Sequence, residues 1–310
     1  MAEQNQPIIS FITPTYNRRD LLTRAYKSLL IQSDKRFEWI IVDDGSIDNT
    51  KEIVDSWLKE NSGFPIKYFW KENGGKPSAL NTGFSIATGE FASIIDSDEY
   101  LTEDAARKLI LWIDEIKDNA IFAGVAGMRG FSETHPRSSF PKNKSVVDAS
   151  DIDRDIKGLR GDKQEAYRLE LFKTHPFPIF ENEKFVQEGP IFWQIAGKGY
   201  IVRFYNEIII IGDYLEDGLT HNINELRAKN FKGYTWYAEE CFKYRRFPMN
   251  WYSVGAWLEI AGAKGLSFKE ASAKINIKGG PAALRTGAVL YSVLKLIKKL
   301  FIREKHEKAD

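Results

Sequence analysis

Two carboxylates lie two residues apart in the segment Asp96 to Glu99 (DSDE), directly after the apolar run FASII. Where a strand ends and the chain turns, both carboxylates can reach one ligand. Hard oxygen ligands of this kind suit Mg²⁺ or Mn²⁺ shared with phosphate groups. A DxD pattern also occurs by chance in solvated turns, so the motif alone leaves both interpretations open.

A second acidic turn, Asp43-Asp44-Gly45-Ser46, follows the apolar run FEWIIV. Gly45 gives a permissive backbone, and Ser46 or Asp48 can cap a helix that starts near residue 51. Capping does not explain two carboxylates at the end of a buried strand. A carboxylate there can accept a hydrogen bond from a nucleobase N–H or a ribose hydroxyl.

Both turns follow apolar segments that alternate with segments of helical period. The predicted strands are 7–13, 37–42, 66–70 and 91–95, and the predicted helices are 21–30, 48–60, 78–88 and 103–116. This alternation is typical of βαβ units around a mostly parallel sheet with flanking helices, an α/β fold. Ligands bind such sheets at the carboxyl ends of the strands, where both acidic turns lie.

The rest of the chain is less regular. Strands are predicted over 120–130 and 200–211, a helix within 181–196, and helices over 223–261. We expect residues 131–165 to form a long loop over the site or a short hairpin. Gly279-Gly280-Pro281 should break the chain before a final helix.

Composition excludes several classes of protein. The 310 residues carry 44 Lys/Arg and 43 Asp/Glu, a net charge of +1, so a nucleic-acid partner is not expected. The single cysteine excludes an intramolecular disulfide and argues against a cysteine-ligated zinc site. No signal peptide or run of 18 apolar residues is found, so we expect a cytoplasmic protein without a membrane span.

Three stretches in order carry a family resemblance: PIISFITPTYNRRDLLTRAYKSLLIQ, FEWIIVDDGSIDNT and ENGGKPSALNTGFSIATGEFASIIDSDE. Together they resemble the family 2 glycosyltransferases, inverting enzymes with the A-type nucleotide-sugar fold. The resemblance resumes at GDKQEAYR and EKFVQEGPIFW, and leaves the last 85 residues unexplained. Ile47 and Glu99 stand where the family usually has Thr and Asp.

For the nucleoside, the resemblance implies three contacts. Pro14 and Tyr16 would frame the base of a nucleoside diphosphate, usually uridine, with the Tyr16 ring against uracil. Asp44 would accept a hydrogen bond from the uracil imide. The alternatives are a Pro14 that merely leads a helix and a Tyr16 that packs in the core.

For the diphosphate and sugar, the resemblance implies a second group. Lys76 would approach the diphosphate, and Asp96 would contact ribose or the donor sugar, with Ser97 in the same nucleotide-sugar site. Asp98 would ligate the divalent metal, Mn²⁺ or Mg²⁺, that bridges the phosphates. The alternative for Lys76 is a solvated surface lysine.

Inverting transfer needs a general base for the acceptor hydroxyl. The resemblance places it at Glu188, where this chain has Glu188-Gly189 instead of the usual Glu-Asp. The rival bases are Asp162, Glu181 and Glu183, and a Glu favoured by a helix dipole is the alternative interpretation. Trp193 and His221 are candidates for acceptor or sugar contact, against core packing and a surface position respectively.

The C-terminal segment is basic on an acidic body. Residues 274–310 hold nine basic and three acidic residues, a charge of +6, so the preceding 273 residues carry −5. In the predicted helix 284–303, apolar residues follow i, i+3, i+4, i+7 spacing and basic residues lie opposite. The apolar stripe comprises Leu290, Val293, Leu294, Ile297, Leu300 and Phe301. Such a helix can lie on an anionic membrane surface, or pack on the enzyme body with snorkelling lysines.

The sequence therefore predicts a catalytic domain over 1–225, with a nucleotide-sugar half (1–100) and an acceptor half (101–225), and a helical region over 226–310. The expected function is metal-dependent, inverting transfer of one sugar from a UDP-sugar. The transferred sugar is expected to be a hexose or an N-acetylhexosamine. The expected acceptor is a glycan, lipid-linked or at the cell surface, in polysaccharide biosynthesis. The processive QxxRW motif is absent, which favours single transfer. The alternatives are a nucleotide-sugar hydrolase, a nucleotidyltransferase, or a catalytically silent binding module on this fold.

Overall fold

The computed structural model of the protein describes residues 6–212 and 223–307, with side chains as far as residue 297. The chain forms two compact units. The first contains the chain up to Ile179 and resumes at Ile195. The second contains Phe180–Gln194 and the C-terminal helices. In the described part of the chain, no helix is long and apolar enough to cross a membrane.

One sheet organises the first unit. Its strands are β1 (Ile9–Thr15), β2 (Phe37–Asp43), β3 (Ile66–Trp70), β4 (Phe91–Ile94), β5 (Glu99–Leu101), β6 (Phe122–Ser132), β7 (His135–Pro136), β8 (Val146–Ala149), β9 (Lys163–Arg168) and β10 (Ile201–Gly212). The main order is β3-β2-β1-β4-β9-β6-β10-β5, with β7 beside β6 and β8 beside β10.

The first four strands pair in parallel, as the alternation of strands and helices predicts. The later strands change the character of the sheet. β9 is antiparallel to both β4 and β6, and β5 and β8 are antiparallel to β10. The α/β class is therefore confirmed, whereas the sheet as a whole is mixed and is parallel only among β1 to β4 and between β6 and β10.

Helices connect and follow these strands. They are α1 (Arg19–Leu30), α2 (Thr50–Trp57), α3 (Lys76–Ile86), α4 (Ala105–Ile116), α5 (Leu169–Thr174), α6 (Gly189–Gly197), α7 (Ile223–Lys229), α8 (Phe231–Tyr244), α9 (Met249–Ala263), α10 (Phe268–Ser272) and α11 (Gly280–Glu307). Each helix predicted in the first 116 residues is present, with ends that differ by up to three residues.

The predicted helical period places the core of the first unit correctly. Leu22 and Leu29 of α1 are fully buried, and they belong to the same cluster as Trp39 of β2 and Leu109 of α4. Leu30, an apolar residue at the end of the same helix, is 36% exposed. Burying such aliphatic and aromatic side chains contributes roughly 1.5–3 kcal/mol each.

Two predicted segments differ from the structure. Residues 131–165 are not a plain loop, because β7 and β8 pair with the sheet there. Within 181–196 the helix begins only at Gly189. Pro190 lacks a backbone N–H, which the first turn of a helix does not need, and Ile191 N donates to Glu188 O (3.1 Å).

The second unit has its own core, in which α9 packs against α11. Gly255 and Gly287 allow the two helices to approach closely, since a Cβ on Gly255 would lie 2.5 Å from the Gly287 carbonyl oxygen. Trp257 and Leu284 are buried in this core.

The apolar stripe predicted for α11 is divided between two environments. Leu290 and Leu294 are half-buried, whereas Val293 and Ile297 are exposed. Val289 and Leu296, outside the predicted stripe, are also exposed. The pattern could not show this division because α11 has apolar residues on two sides, and packing against α9 covers only one of them. Leu300 and Phe301 lie beyond the described side chains.

Candidate active site

The carboxyl ends of β1, β2 and β4 meet at one edge of the first unit's sheet. Thr15 pairs with Asp43, and Ile12 pairs with Ile94. Pro14 is buried in β1. Tyr16, immediately after β1, is 49% exposed, so its ring is not a core residue and is accessible for stacking.

Asp43 and Asp44 both accept hydrogen bonds that hold neighbouring turns in place. Asp43 is fully buried and accepts hydrogen bonds from Ser46 N (2.7 Å) and the Tyr68 hydroxyl (2.6 Å). Burial, together with the Asp43 carboxylate, raises the pKa of Tyr68 well above its usual value. The two carboxylates at the end of this strand therefore have a structural use that the sequence pattern did not reveal.

Asp44 holds the NGGK segment that precedes α3. Its carboxylate accepts from Lys71 Nζ (2.9 Å), Gly74 N (3.0 Å) and Gly75 N (2.7 Å), and the residue is only 4% exposed. Gly75 has a φ of 87°, a conformation that favours glycine. The predicted contact of Asp44 with a uracil imide stays a prediction, and it would have to share a carboxylate already bonded on both oxygens.

Lys76, the first residue of α3, is brought to Asp96 by this turn. Its ammonium lies 2.6 Å from Asp96 Oδ1, and the Asp96 side chain is 31% exposed. Burial alone would raise the pKa of Asp96, but Lys76 and Arg129 outweigh it and lower that pKa below its usual value. The predicted diphosphate ligand Lys76 and the predicted sugar ligand Asp96 are thus direct partners in this structure.

Asp98 lies beside a different cation. Its carboxylate is 3.3 Å from the Arg18 guanidinium, and both side chains are about a quarter exposed (22% and 25%). Burial, and then the nearby Asp96 carboxylate, raise the pKa of Asp98 above its usual value. Ser97, between the two aspartates, is buried.

The donor set at this edge fits a divalent metal whose coordination is completed by a substrate. No cluster of three or more His, Cys, Asp or Glu with metal-site geometry occurs among the described residues. Mg²⁺ and similar ions commonly take one or two protein carboxylates and obtain their remaining ligands from phosphate and water. Asp98, a partly exposed hard ligand whose charged form is disfavoured by burial and by Asp96, matches that arrangement.

Glu99, directly after Asp98, is a buried carboxylate whose partners were not predicted from the sequence. Glu99, 6% exposed, pairs with Arg129 of β6, and Arg129 also bonds to Gln164 of β9. Burial raises the pKa of Glu99 to about 7, against the opposing effect of Arg129. The available signal was the presence of polar residues in strands with buried neighbours: Arg129 in GVAGMRG, and Gln164 in GDKQEAYR.

Glu188 and Trp193 belong to the second unit. Glu188 precedes α6 and is partly buried. A Cβ on Gly189 would lie 2.9 Å from Trp193, so the indole packs across the first turn of its own helix. Trp193 also contacts the Tyr237 ring (centroids 5.5 Å apart) and the Arg245 guanidinium (5.4 Å).

The other residues considered for catalysis have different surroundings. The carboxylate of Glu183 accepts from Lys232 N and Gly233 N, both at 2.8 Å, and so caps the start of α8. Asp162 and Glu181 are exposed. His221 lies outside the described residues.

Comparison of the sequence with known proteins identifies relatives over part of the chain. GlyG of Streptococcus pneumoniae serotype 4, a glycosyltransferase, is 35% identical over 118 residues, 38% of each chain. The GalNAc(5)-diNAcBac-PP-undecaprenol beta-1,3-glucosyltransferase of Campylobacter jejuni is 30% identical over 184 residues, 59% of this chain and 56% of that protein. The matches therefore cover about two fifths to just over half of these relatives' lengths.

Solved structures show the same fold over most of the chain. S. aureus TarS 1-349 in complex with UDP-GlcNAc superposes with a TM-score of 0.60 at 18% identity, covering 93% of this chain and 91% of that one. The mannosyltransferase PcManGT from Pyrobaculum calidifontis, in complex with GDP-Man and Mn²⁺, gives 0.56 at 19% identity, covering 93% and 88%. These likenesses confirm the predicted glycosyltransferase A-type fold.

The sequence profile described as glycosyl transferase family 2 matches residues 10–182, more than half of the chain. The matched segment includes β1 to β4 and both acidic turns, and it continues through β9. The chain therefore belongs to glycosyl transferase family 2.

Proposed function

We propose that the protein transfers one sugar from a UDP-sugar to a glycan acceptor, with inversion at the anomeric carbon and a divalent metal. The observation that carries the proposal is the sheet edge where Lys76, Asp96 and Asp98 converge at the carboxyl end of β4. Family membership makes glycosyl transfer the chemistry to test first, and the crystal structure of TarS 1-349 in complex with UDP-GlcNAc supports uridine as the nucleoside.

At this edge each side chain has a proposed task. The exposed Tyr16 ring stacks on the base beside Pro14. Asp44 accepts from the base while it holds the NGGK turn. Lys76 exchanges its bond to Asp96 for the diphosphate, which leaves Asp96 and the adjacent Ser97 segment for the ribose or donor sugar.

Asp98 is the proposed ligand of Mn²⁺ or Mg²⁺. When bound, the metal neutralises charge on the diphosphate and so makes UDP a better leaving group. The Mn²⁺ in the complex of PcManGT with GDP-Man supports a divalent ion in this fold. Arg18, whose guanidinium lies 3.3 Å from the Asp98 carboxylate, holds that carboxylate in place and partly neutralises its negative charge.

Glu188 is the proposed base. Deprotonating the acceptor hydroxyl as it attacks the anomeric carbon gives inversion in a single displacement, and one carboxylate suffices for that step. Trp193, packed over the first turn of α6 close to Glu188 in sequence, offers an aromatic face for a sugar ring. Glu183 is a weaker candidate for the base because both its oxygens already accept backbone N–H groups.

The proposed acceptor is a glycan carried on a lipid at the cytoplasmic face of a membrane. The Campylobacter relative is named for an undecaprenol-linked acceptor, which supports this class. The exposed aliphatic residues of α11, together with the +6 charge of residues 274–310, offer a surface for peripheral attachment.

The experiment is a donor panel. Release of UDP from UDP-hexoses and UDP-N-acetylhexosamines is measured with Mn²⁺, with Mg²⁺ and with a chelator, in the presence and absence of lipid extracts that contain acceptors. Transfer predicts metal-dependent release that rises with an acceptor and a sugar-bearing product. Release without any acceptor product would identify a hydrolase, and UDP binding with no release on any donor would identify a silent binding module.

A further inference from the structure

We propose that Arg129 and Gln164 are positioning residues that hold both ends of the Asp96–Asp98 turn, and thereby set the geometry in which Asp98 meets a metal–diphosphate. Gln164 is fully buried, and the guanidinium of Arg129, whose side chain is 17% exposed, is engaged by Glu99, Gln164 and the Lys163 carbonyl, so neither residue is proposed to touch the substrate. The inference rests on the proposed function for its ligand, and its test separates the two.

Gln164 of β9 holds the end of β4. Its amide nitrogen donates to the Ile94 carbonyl (2.7 Å) and to the Ser93 hydroxyl (2.8 Å), and the residue is fully buried. Ile94 is the last residue of β4, so this bond fixes the point where the chain leaves the strand. The Ser93 hydroxyl in turn donates a hydrogen bond to the Glu165 carbonyl (2.7 Å).

Arg129 of β6 holds the other end of the turn. One guanidinium nitrogen bonds to the carboxylate of Glu99, the first residue of β5. A second donates to the Gln164 side-chain oxygen (3.0 Å), and Nε donates to the Lys163 carbonyl (2.9 Å).

Arg129 and Gln164, with their bonds to Ile94 and Glu99, form one connected hydrogen-bonded group, which we call the bracket. Arg129 is bonded to Gln164, Gln164 to Ile94, and Arg129 to Glu99, so the four residues between Ile94 and Glu99 are fixed from both sides. β6 and β9 are paired, with Met128 opposite Lys163, so the bracket is anchored in the middle of the sheet. Every hydrogen-bonding group of the Gln164 amide is used within it.

The bracket requires the shape of arginine as well as its charge. A planar guanidinium can donate in three fixed directions at once, whereas a lysine ammonium on a flexible stem is a point charge. Loss of one partner also leaves buried polar groups unsatisfied, which is costlier than loss of an exposed bond. A lysine at residue 129 would keep the charge beside Glu99 and lose the directed link to Gln164.

The test compares R129K with R203K, a matched control. Arg203 of β10 also makes a two-pronged pair, with Asp148 (both bonds 2.9 Å), but it does not contact the turn. Calorimetry measures UDP binding to the full chain with and without Mn²⁺, and hydrogen exchange follows the amides of residues 95–99. In R129K we expect the Mn²⁺-dependent gain in UDP affinity to fall about tenfold and the amides of residues 95–99 to exchange faster, while metal-free UDP binding is unchanged. In R203K we expect the UDP affinities and the exchange of these amides to match wild type.

The outcomes are separable. A folded R129K with the wild-type Mn²⁺ gain and wild-type exchange at residues 95–99 would overturn the bracket. Should R129K not fold, Q164M keeps the Arg129–Glu99 pair and takes its place. If both variants unfold the whole first unit, these residues maintain the fold and the proposal is wrong. If the wild-type chain binds no UDP, the proposed function fails, while the exchange data still decide the bracket.

Discussion

The three carboxylates of the DSDE segment have three different partners, although they span only four residues. Asp96 pairs with Lys76, Asp98 with Arg18, and Glu99 with Arg129. Exposure separates them further, since Glu99 is buried while the two aspartates are partly open to solvent. The chemistry of each carboxylate is therefore set by its neighbours rather than by the motif.

Replacing Asp98 tests the metal assignment. D98N keeps the size of the side chain but removes its charge, so the Mn²⁺-dependent part of UDP affinity should fall at least tenfold while metal-free binding changes little. Calorimetric titration with and without Mn²⁺ measures both. D55N is the matched control, because Asp55 is an exposed carboxylate on α2 that pairs only with Lys51 in the described contacts. Equal Mn²⁺-dependent gains in D98N and wild type would exclude Asp98 as the ligand.

Replacing Glu188 tests the base. E188Q keeps the size and hydrogen bonding of the side chain but cannot accept the proton, so kcat should fall on the order of 10²–10⁴-fold with UDP affinity near wild type. Steady-state kinetics on the identified acceptor, with calorimetry for UDP, give the two quantities. E183Q is the comparison variant: its carboxylate caps α8, so stability should drop with kcat retained. Near-normal turnover in E188Q would place the base elsewhere, with Asp162 tested next.

At the scale of elements, the spacing of apolar residues was enough to predict a helix or strand wherever a segment follows a single pattern, either a continuous apolar run or one helical stripe. β1 to β4 are short apolar runs, and α1 and α4 bury a single stripe, so each was predictable from its own residues. β9 (KQEAYR) was not, because the side chains of Gln164 and Arg168 are satisfied by partners distant in sequence. The bracket depends on such partners: Arg129 and Gln164 are 35 residues apart.

The same limit applies to the candidate site. The turns that carry Asp44, Asp96 and Asp98 follow apolar strands, so their place at one edge could be predicted from sequence order. That Asp44 already accepts three hydrogen bonds depends on the fold of the NGGK segment, which no spacing rule gives. The division of the α11 stripe likewise depends on which side α9 covers.

The polar strand β9 gives a prediction about pH. Burial raises the pKa of Glu165 to about 7, even though Arg154 lies 3.2 Å away and lowers it. A carboxyl whose pKa is raised on folding binds its proton more tightly in the folded state. Its stabilising contribution is therefore complete below the unfolded pKa, about 4.5, and is lost as pH rises towards 7.

E165Q should remove this loss. Between pH 4.5 and 7, the free energy of unfolding should fall by up to about 3 kcal/mol more in wild type than in E165Q, at 1.36 kcal/mol per pKa unit. Urea titrations at several pH values, monitored by tryptophan fluorescence, measure the difference. Parallel pH dependence in the two proteins would mean that Arg154 keeps Glu165 ionised throughout this range.

At the scale of the whole molecule, charge and apolar exposure coincide at the C-terminus. Residues 274–310 carry +6 on a body of −5. In α11, Val289, Val293 and Leu296 are 63%, 48% and 60% exposed, and their i, i+4, i+7 spacing places them on one side of the helix. The side that carries Leu284 and Gly287 packs on α9. The exposed row is thus available to a lipid surface without unpacking the second unit.

Its size suits reversible attachment. A basic residue near an anionic leaflet contributes about 1 kcal/mol, and a fully buried aliphatic side chain roughly 1.5–3 kcal/mol. Removing the helix would be a poor test, because a chain ending near residue 280 loses Leu284 from the core of the second unit. Substitutions on the exposed row leave that core intact.

The double variant V293D/L296D should therefore lose membrane binding and keep its fold. We expect wild type to sediment with vesicles of phosphatidylglycerol and phosphatidylcholine, and high salt to weaken this sedimentation. The variant should bind the vesicles at least tenfold more weakly, because two carboxylates would have to enter the membrane interface. I156D is the matched control, since Ile156 is a 72% exposed aliphatic residue in the first unit. Calorimetry with UDP verifies that the nucleotide site of each variant is intact. Equal sedimentation of wild type and V293D/L296D would assign the exposed row to a protein partner or to a second copy of the chain, which sedimentation equilibrium would then reveal.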